Sequence, residues 1–147
     1  MIPSSSPSPA TPALRGILET VLYAEDLDAT AGFYESVLGL ARMTADTRLV
    51  TYALAPGQVL LLFQRGATDH TVELPGGAIP GHDGQGRQHI AFAVDADALP
   101  DWEARLASCG VAVEARMQWP RGGRSLYFRD PDGHLLELAT PGLWSNY

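Results

Sequence analysis

Three side chains in this sequence have the chemistry to bind one divalent metal ion together: Glu19, His89 and Glu137. Each lies in a strand-like stretch, on a face that otherwise carries apolar or small residues. Two carboxylates placed there without partners would be costly to ionise, and a divalent cation would offset that cost. Taken singly, each residue is more often an exposed glutamate or a satisfied histidine, so the prediction depends on how the three are related.

That relation comes from an internal repeat, because the two halves of the chain follow the same order of segments. Four residues beyond the glycine of a tight turn come Leu61 in the first half and Glu137 in the second. Aligning the strands that open the two halves places Glu19 opposite His89. The repeat therefore predicts that the three polar residues occupy pseudo-symmetric positions, with Leu61 at the fourth.

The secondary structure that positions these residues is predicted from the same repeat. Each half opens with a strand, continues with acidic residues that can cap a helix, and then has apolar residues at helical spacing up to Gly39 or Gly110. Further strand signals lie at 48–54 and 59–63 in the first half and at 111–115, 125–129 and 135–139 in the second, with a weak one near 41–44. The predicted fold is α+β, with eight strands and two main helices in two βαβββ modules. Pairing the modules is expected to bury the sheet faces that the helices leave open.

Domain boundaries are predicted from changes in composition. Residues 1–13 hold four prolines and four serines and are expected to form a disordered tail. A single domain is predicted at 14–142, with module one at 14–64, a linker loop at 65–86, module two at 87–142, and a C-terminal tail at 143–147. Residues 64–86 contain six glycines and two prolines, so the linker is expected to be disordered or to act as a lid.

Composition argues against several classes of function. The formal net charge of -7 disfavours nucleic acid, because binding phosphates needs clustered basic residues. No apolar run approaches the roughly 18 residues that cross a bilayer, so no membrane partner is expected. Cys109 is the only cysteine, which rules out an internal disulfide, and with no signal-peptide pattern the expected location is the cytoplasm.

A second group of residues is predicted to contact the substrate. Glycines flanked by arginines at 119–124 can form a mobile loop that grips an anion, although a solvated hairpin connection is the simpler interpretation. Aromatic residues in nearby strands could form pocket walls, although such residues more often belong to the core. The predicted substrate-binding residues are Trp119, Arg124 and Tyr127.

The remaining histidines have simpler interpretations. His134 directly follows a turn and is interpreted as a polar turn residue rather than a ligand. His70 and His82 lie in the linker, where solvent exposure is expected, although either could close over the site.

Four segments resemble the vicinal oxygen chelate superfamily, which contains the glyoxalases, the bleomycin-resistance proteins and the extradiol dioxygenases. The segments are LETVLYAEDL at 18–27, FYESVLGL at 33–40, HIAFAV at 89–94 and FRDPDGHLLEL at 128–138. Together they extend the resemblance over roughly residues 15–142. It implies a glyoxalase/bleomycin-resistance/dioxygenase fold, a small-molecule substrate and a homodimer.

The resemblance also implies a metal centre with three protein ligands. Ligands in that superfamily lie on the first and fourth strands of the two modules, which carries over to Glu19, His89 and Glu137. The implied cofactor is one divalent ion, chosen from Mn, Ni, Zn, Mg and Fe. Two departures matter, because many members have histidine at the position of Glu19, and four-ligand glyoxalases have a carboxylate at the position of Leu61. Three protein ligands leave open positions for water or substrate.

The expected function is a divalent-metal-dependent glyoxalase-like enzyme of the lyase, isomerase or dioxygenase type. Its small substrate would chelate the metal through oxygens. Two glutamates formally cancel the charge of the ion, which favours lyase or isomerase chemistry over dioxygenase chemistry. Glu19 and Glu137 are the predicted catalytic residues, since either could leave the metal and act as a base. The alternative is a metal-free protein of the bleomycin-resistance type that binds a drug or an aromatic ligand.

Overall fold

The computed structural model describes residues 10–147, so most of the predicted tail at 1–13 lies outside the described residues. Residues 10–18 form no helix or strand and are exposed. Within the described range, no helix is long and apolar enough to span a membrane. The elements in chain order are β1 (Glu19–Ala24), α1 (Leu27–Ser36), β2 (Ala41–Ala45), β3 (Leu49–Ala55), β4 (Gln58–Gln64), β5 (Val72–Leu74), β6 (Gly77–Ile79), β7 (His89–Ala93), α2 (Leu99–Ser108), β8 (Ala115–Gln118), β9 (Arg124–Arg129) and β10 (Leu135–Ala139).

The two four-stranded sheets have the same topology. Their strand orders are β1-β4-β3-β2 and β7-β10-β9-β8. In each sheet the first strand runs parallel to the last, and the other neighbours are antiparallel. Each module also has one helix between its first two strands. The prediction of an α+β fold with two βαβββ modules is therefore confirmed.

The linker differs from the predicted loop, because it contains an antiparallel hairpin formed by β5 and β6. This hairpin raises the number of strands among the described residues from the expected eight to ten. Pro75 and Gly76 occupy the two central positions of its turn, where these residue types are favoured. A second difference concerns the strand predicted at 111–115. The observed strand, β8, begins at Ala115, and Val111 and Val113 pack against the core without belonging to a strand.

The two helices begin in different ways. In α1 the carboxylate of Asp26 accepts a hydrogen bond from the backbone N–H of Ala29 at 3.1 Å, as the capping prediction required. In α2 the capping residue is Ala98, which makes no side-chain cap, so the predicted role of the preceding acidic residues is wrong. Pro100 lies in the first turn of α2, where a missing backbone N–H costs nothing and the fixed φ favours the start of a helix.

One hydrophobic core is shared by both modules. It contains Tyr34 of α1 and Leu106 of α2 together with helix-facing strand residues such as Leu60 and Phe128. Full burial of a large apolar side chain contributes about 1.5–3 kcal/mol. The expectation that the opposite sheet faces bury one another is wrong within a single chain. The helix-covered faces meet in the shared core, and because side chains alternate along a strand, the opposite faces turn outward.

Candidate metal centre

His89 and Glu137 lie side by side on the outward face of the module-two sheet. β7 and β10 are parallel neighbours in which His89 pairs with Leu135, and Glu137 lies two residues further along the same face. Nε2 of His89 lies 3.3 Å from Oε2 of Glu137. Two atoms bonded to one ion at about 2.1 Å are separated by roughly 3.0–3.4 Å at ordinary ligand angles. The spacing therefore fits two ligands of a single ion.

The carbonyl group of Leu135 fixes the tautomer of His89. Nδ1 of the ring lies 2.9 Å from the carbonyl oxygen of Leu135, and because a carbonyl only accepts, Nδ1 carries a proton. In the neutral ring, Nε2 then presents a lone pair to a carboxylate oxygen of Glu137, which is also an acceptor. Either a proton or a cation must lie between the two atoms to make this contact favourable. Metal-bound histidines usually have their second nitrogen bonded in this way.

Glu137 is held by donors on the side away from His89. The residue is 4% exposed, and its Oε1 accepts hydrogen bonds from the hydroxyl groups of Ser125 at 2.5 Å and Tyr127 at 3.0 Å. The hydroxyl oxygen of Ser125 accepts in turn from Nε1 of Trp119 at 2.8 Å. Burial and the bond to Glu137 raise the pKa of Tyr127, so its phenol remains a donor at neutral pH. Oε2, the other carboxylate oxygen, is the one that faces His89.

Glu19 lies on the outward face of the module-one sheet and does not join the pair within one chain. Its side chain is exposed at the start of β1. Within residues 10–147, the ligand atoms of Glu19, His89 and Glu137 do not all lie within 4.8 Å of one another. The arrangement of the sheets explains the separation, since each outward face lies on the side of its sheet away from the shared core. The structure thus brings together two of the three predicted ligands. Leu61, at the fourth repeat position, is buried beside Val21.

A cavity of about 300 Å³ lies between the module-one sheet and the β5–β6 hairpin, and Glu19 borders it. Leu61 and Phe63 belong to the side formed by the sheet, while Leu74 and Ile79 belong to the hairpin. The linker therefore covers much of the outward face of module one, as a lid would.

The two linker histidines border the same cavity. Nδ1 of His82 lies 2.6 Å from the phenol oxygen of Tyr23, and its ring meets Phe63 edge to face at 4.9 Å between centroids. His70 is largely exposed and its Nδ1 lies 2.9 Å from a carboxylate oxygen of Asp69. His82 therefore attaches the linker to the sheet.

A second cluster, formed by Asp130, Asp132 and His134, is the only group of three such residues in the described part of the chain whose ligand atoms lie within 4.8 Å of one another. Its polar atoms already have protein partners. The two carboxylates accept from the hydroxyl groups of Tyr34 and Thr30 and from the backbone N–H groups of Glu25, Asp132 and His134. Burial raises the pKa of Asp130.

Both ring nitrogens of His134 are also occupied. Nδ1 accepts from the backbone N–H of Gln88 at 2.9 Å, so Nε2 carries the proton and donates it to the carbonyl of Tyr23 at 2.9 Å. The ring is fully buried directly after the turn that precedes β10. We assign the cluster as a polar joint, because it bonds the turn before β10 to β1 and α1 of the other module.

The loop at 119–124 is hydrogen-bonded to the segment that follows β10. The backbone N–H of Trp119 donates to Gly123, and that of Gly123 donates to Gly142. A side chain at Gly123 would lie 2.6 Å from the backbone of Gly142, so the close approach requires glycine. Tyr147 donates its phenol proton to the carbonyl of Ala139, so the predicted tail at 143–147 packs against β10.

The predicted substrate-binding residues have three different surroundings. Tyr127 lies at the site through its bond to Glu137. Trp119 is connected to the site through Ser125. Arg124 donates to the carbonyl of Ala96 and lies on the face of β9 opposite to Tyr127. Ser125 was not among the predicted site residues, although strand alternation places it on the same face as Tyr127.

Comparison with known proteins agrees with this fold. Residues 16–138 match the family model of the Glyoxalase/Bleomycin resistance protein/Dioxygenase superfamily. Metallothiol transferase FosB of Bacillus licheniformis is 31% identical over 126 residues, which are 85% of this chain and 75% of that protein. Fosfomycin resistance protein FosX of Listeria innocua is 39% identical over 51 residues, only 34% of this chain and 38% of that protein. The crystal structure of lactoylglutathione lyase from Agrobacterium tumefaciens superimposes with a TM-score of 0.82 at 34% identity, covering 90% of this chain and 98% of that chain. This chain belongs to the glyoxalase/bleomycin resistance/dioxygenase superfamily, the vicinal oxygen chelate proteins.

Proposed function

We propose that this chain is a divalent-metal-dependent glyoxalase-like enzyme acting on a small substrate that chelates the metal through two oxygens. His89 and Glu137 would supply two ligands from one chain, and Glu19 of a second copy would supply the third. The working form is then a homodimer with its sites between chains. The ion would be one of Mn, Ni, Zn, Mg or Fe, and the cytoplasm is the expected location.

The contact between His89 and Glu137 carries this proposal. The proton on Nδ1 is fixed by a carbonyl, Oε1 is taken by two hydroxyl groups, and the two remaining ligand atoms face each other at 3.3 Å. This arrangement orients two ligand atoms toward one point, and the other polar atoms of both residues are already engaged. Such outer partners tune and orient metal ligands.

The free sheet edges support completion of the site by a second copy. Among residues 10–147, β1 and β7 are each the end strand of their sheet and have one neighbouring strand. Glu19 is the first residue of β1, and His89 is the first residue of β7. A copy that places its β1 beside β7 would bring Glu19 next to His89, and two-fold symmetry would produce two equivalent sites.

The two glutamates have different surroundings and would have different roles. A bound divalent ion would supply Lewis-acid polarisation of a substrate carbonyl. Glu137 is held by Ser125 and Tyr127, so its position is fixed before substrate arrives. Glu19 makes no side-chain hydrogen bond or ion pair within residues 10–147 and is exposed. We therefore assign Glu19 as the base that takes a proton from the carbon next to that carbonyl, and Glu137 as the fixed ligand.

Lyase, isomerase or transferase chemistry is favoured over dioxygenase chemistry. Two carboxylates formally neutralise a divalent ion, which makes the site a weaker match to the iron sites of oxygenases. The names of two relatives point the same way, since one is a metallothiol transferase and the other a lactoylglutathione lyase.

One observation favours the alternative of a metal-free binding protein. The cavity beside Glu19 is lined largely by apolar side chains, as expected for a protein that sequesters a drug-like or aromatic molecule. In that case the purified protein would bind its ligand equally well with or without a metal.

Metal titration of the purified chain tests the proposal. After treatment with a chelator, the protein is titrated separately with Mn²⁺, Ni²⁺, Zn²⁺ and Mg²⁺, and anaerobically with Fe²⁺. We expect one ion per chain for the native sequence and for the surface variant Glu103→Gln, and loss of binding in His89→Ala. Each loaded form is then assayed with 2-oxoaldehyde–thiol adducts and with catechols. Oxygen uptake with a catechol and Fe²⁺ would reverse the reaction preference, and a native chain that binds no metal would leave the binding-protein alternative.

A further inference from the structure

We infer that the substrate carries an apolar group about the size of an aromatic ring next to its chelating oxygens, and that it is not a phosphonate. The apolar group would bind between the module-one sheet and the β5–β6 hairpin. This inference rests on the proposed function for the metal site and names the class of molecule that the site accepts.

The cavity beside Glu19 has largely apolar walls. The sheet contributes Leu49, Leu61 and Phe63, and the hairpin contributes Val72, Leu74 and Ile79. A volume of about 300 Å³ is at the lower end of the range for small-molecule sites. It would hold an aromatic ring or a short branched alkyl group.

The hairpin exposes two large apolar side chains to solvent. Leu74 and Ile79 are each 51% exposed, although both are large apolar side chains on a short hairpin. Their exposed surface borders the cavity, so an apolar group bound there would remove it from water.

The internal repeat provides a further observation. Leu61 occupies in module one the position that Glu137 occupies in module two, and it is buried in the cavity wall. The same sheet position therefore holds a charge beside the proposed metal and an apolar side chain beneath the hairpin. One half of the complete site would bind oxygens, and the other half would bind hydrocarbon.

The distribution of positive charge argues against a phosphonate. A phosphonate dianion is normally held by several cationic donors. All ten basic residues of the chain are arginines, and Arg48 is the one that borders the cavity. Its guanidinium already lies 3.6 Å from the carboxylate of Asp46. On the face that carries Glu137, Arg129 is bonded to Glu114. Fosfomycin, the phosphonate mentioned in the name of the FosX relative, would meet the guanidinium groups of Arg48 and Arg129 already paired with carboxylates.

Hydrogen bonds of the linker hold the hairpin over the sheet. Thr68 and His82 exchange two hydrogen bonds of 2.7 Å, and His82 also contacts the phenol of Tyr23. A cavity whose walls are held by such bonds needs little ordering when a ligand enters. The apolar group of a ligand should therefore increase its equilibrium affinity for the chain.

Two hydroxamic acids with the same chelating head test the inference. Acetohydroxamic acid carries a methyl group, and benzohydroxamic acid carries a phenyl ring. We expect the manganese-loaded full chain to bind the phenyl compound at least about tenfold more tightly in calorimetry, because only the ring has enough apolar surface to pack against the walls of the cavity. Ile79→Ser should reduce that ratio severalfold. Met43→Ser, which removes a 56% exposed apolar side chain that does not border the cavity, should leave the ratio unchanged.

Equal affinity for the two hydroxamic acids, or a ratio that Ile79→Ser does not change, would overturn the inference while leaving the metal site intact. Tighter binding of fosfomycin than of benzohydroxamic acid would overturn it as well. Failure of both hydroxamic acids to bind would count against the proposed metal function instead. In that case, an NMR titration of the metal-free chain with benzyl alcohol tests whether the cavity binds an aromatic ring independently of the metal site. Shifts of the methyl resonances of Leu74 and Ile79 would support it, and unchanged resonances would reject it.

Discussion

Ser125 donates its hydroxyl proton to Oε1 of Glu137 at 2.5 Å, and both residues are almost completely buried. The same hydroxyl accepts from the indole N–H of Trp119, so Ser125 connects a loop to the candidate metal ligand. We expect Ser125→Ala to weaken metal affinity by about 10–100-fold, because outer partners orient a ligand and tune its basicity. Competition with a metal-binding dye measures the change.

A matched control for this variant is Ser108→Ala, whose exposed hydroxyl donates to the carbonyl of Arg105 at the end of α2. Its metal affinity should equal that of the native chain. Unchanged affinity in Ser125→Ala would mean that Glu137 is held well enough by Tyr127 alone, and that Ser125 has only a structural role.

The proposed sharing of the site between two copies can be tested by complementation. Glu19→Ala and His89→Ala each remove one exposed ligand, so each variant alone should lose metal binding. Co-refolding equal amounts should restore about one quarter of the sites, because half of the dimers are mixed and each mixed dimer has one intact site. Atomic emission measures the metal bound per chain. A site within one chain predicts no recovery, since every site in a mixed dimer would still lack a ligand.

The internal repeat was sufficient to predict the modules and the nearness of His89 to Glu137. Strand alternation is a short-range consequence of the sequence pattern, whereas the parallel pairing of β7 with β10 joins segments 46 residues apart and was not predicted. The pattern did not decide which sheet faces share the core, because both faces of β1 and β7 contain residues that can be buried. That choice depends on contacts between distant segments, and it determines that Glu19 lies apart from the other two ligands.

His134 illustrates the same limit at a single residue. The sequence places it after an Asp-Pro-Asp-Gly turn but does not reveal its burial, because the carbonyl of Tyr23 that its ring bonds lies 111 residues earlier in the chain. The hairpin in the linker was missed for a different reason. Its two strands have three residues each, too few for a clear periodic signal among the glycines.

The polar joint should contribute to stability and not to metal binding. His134→Ala would leave the carbonyl of Tyr23 and the N–H of Gln88 without partners in a buried place, so we expect the free energy of unfolding to fall by about 2–4 kcal/mol. Urea unfolding measures this loss, and metal titration of the folded variant should still give one ion per chain. A variant that folds normally but binds no metal would instead identify Asp130, Asp132 and His134 as the metal centre.

Tyr34 should make the stability of the fold depend on pH in alkaline solution. Its phenol is fully buried and donates to Asp130 at 2.9 Å; burial and the nearby carboxylate raise its pKa far above the ordinary value of 10.0. Above pH 10 the unfolded chain releases this proton and the folded chain keeps it, so stability falls as pH rises, by up to about 1.4 kcal/mol per pH unit.

Tyr34→Phe should lower stability at pH 8 by about 1–3 kcal/mol, because Asp130 loses a donor, yet flatten the decline between pH 10 and 11. Some decline should remain, since burial also raises the pKa of Tyr52. Urea unfolding of both proteins at pH 8, 10 and 11 measures the two slopes, and equal slopes would show that Tyr34 ionises as readily in the folded chain as in the unfolded one.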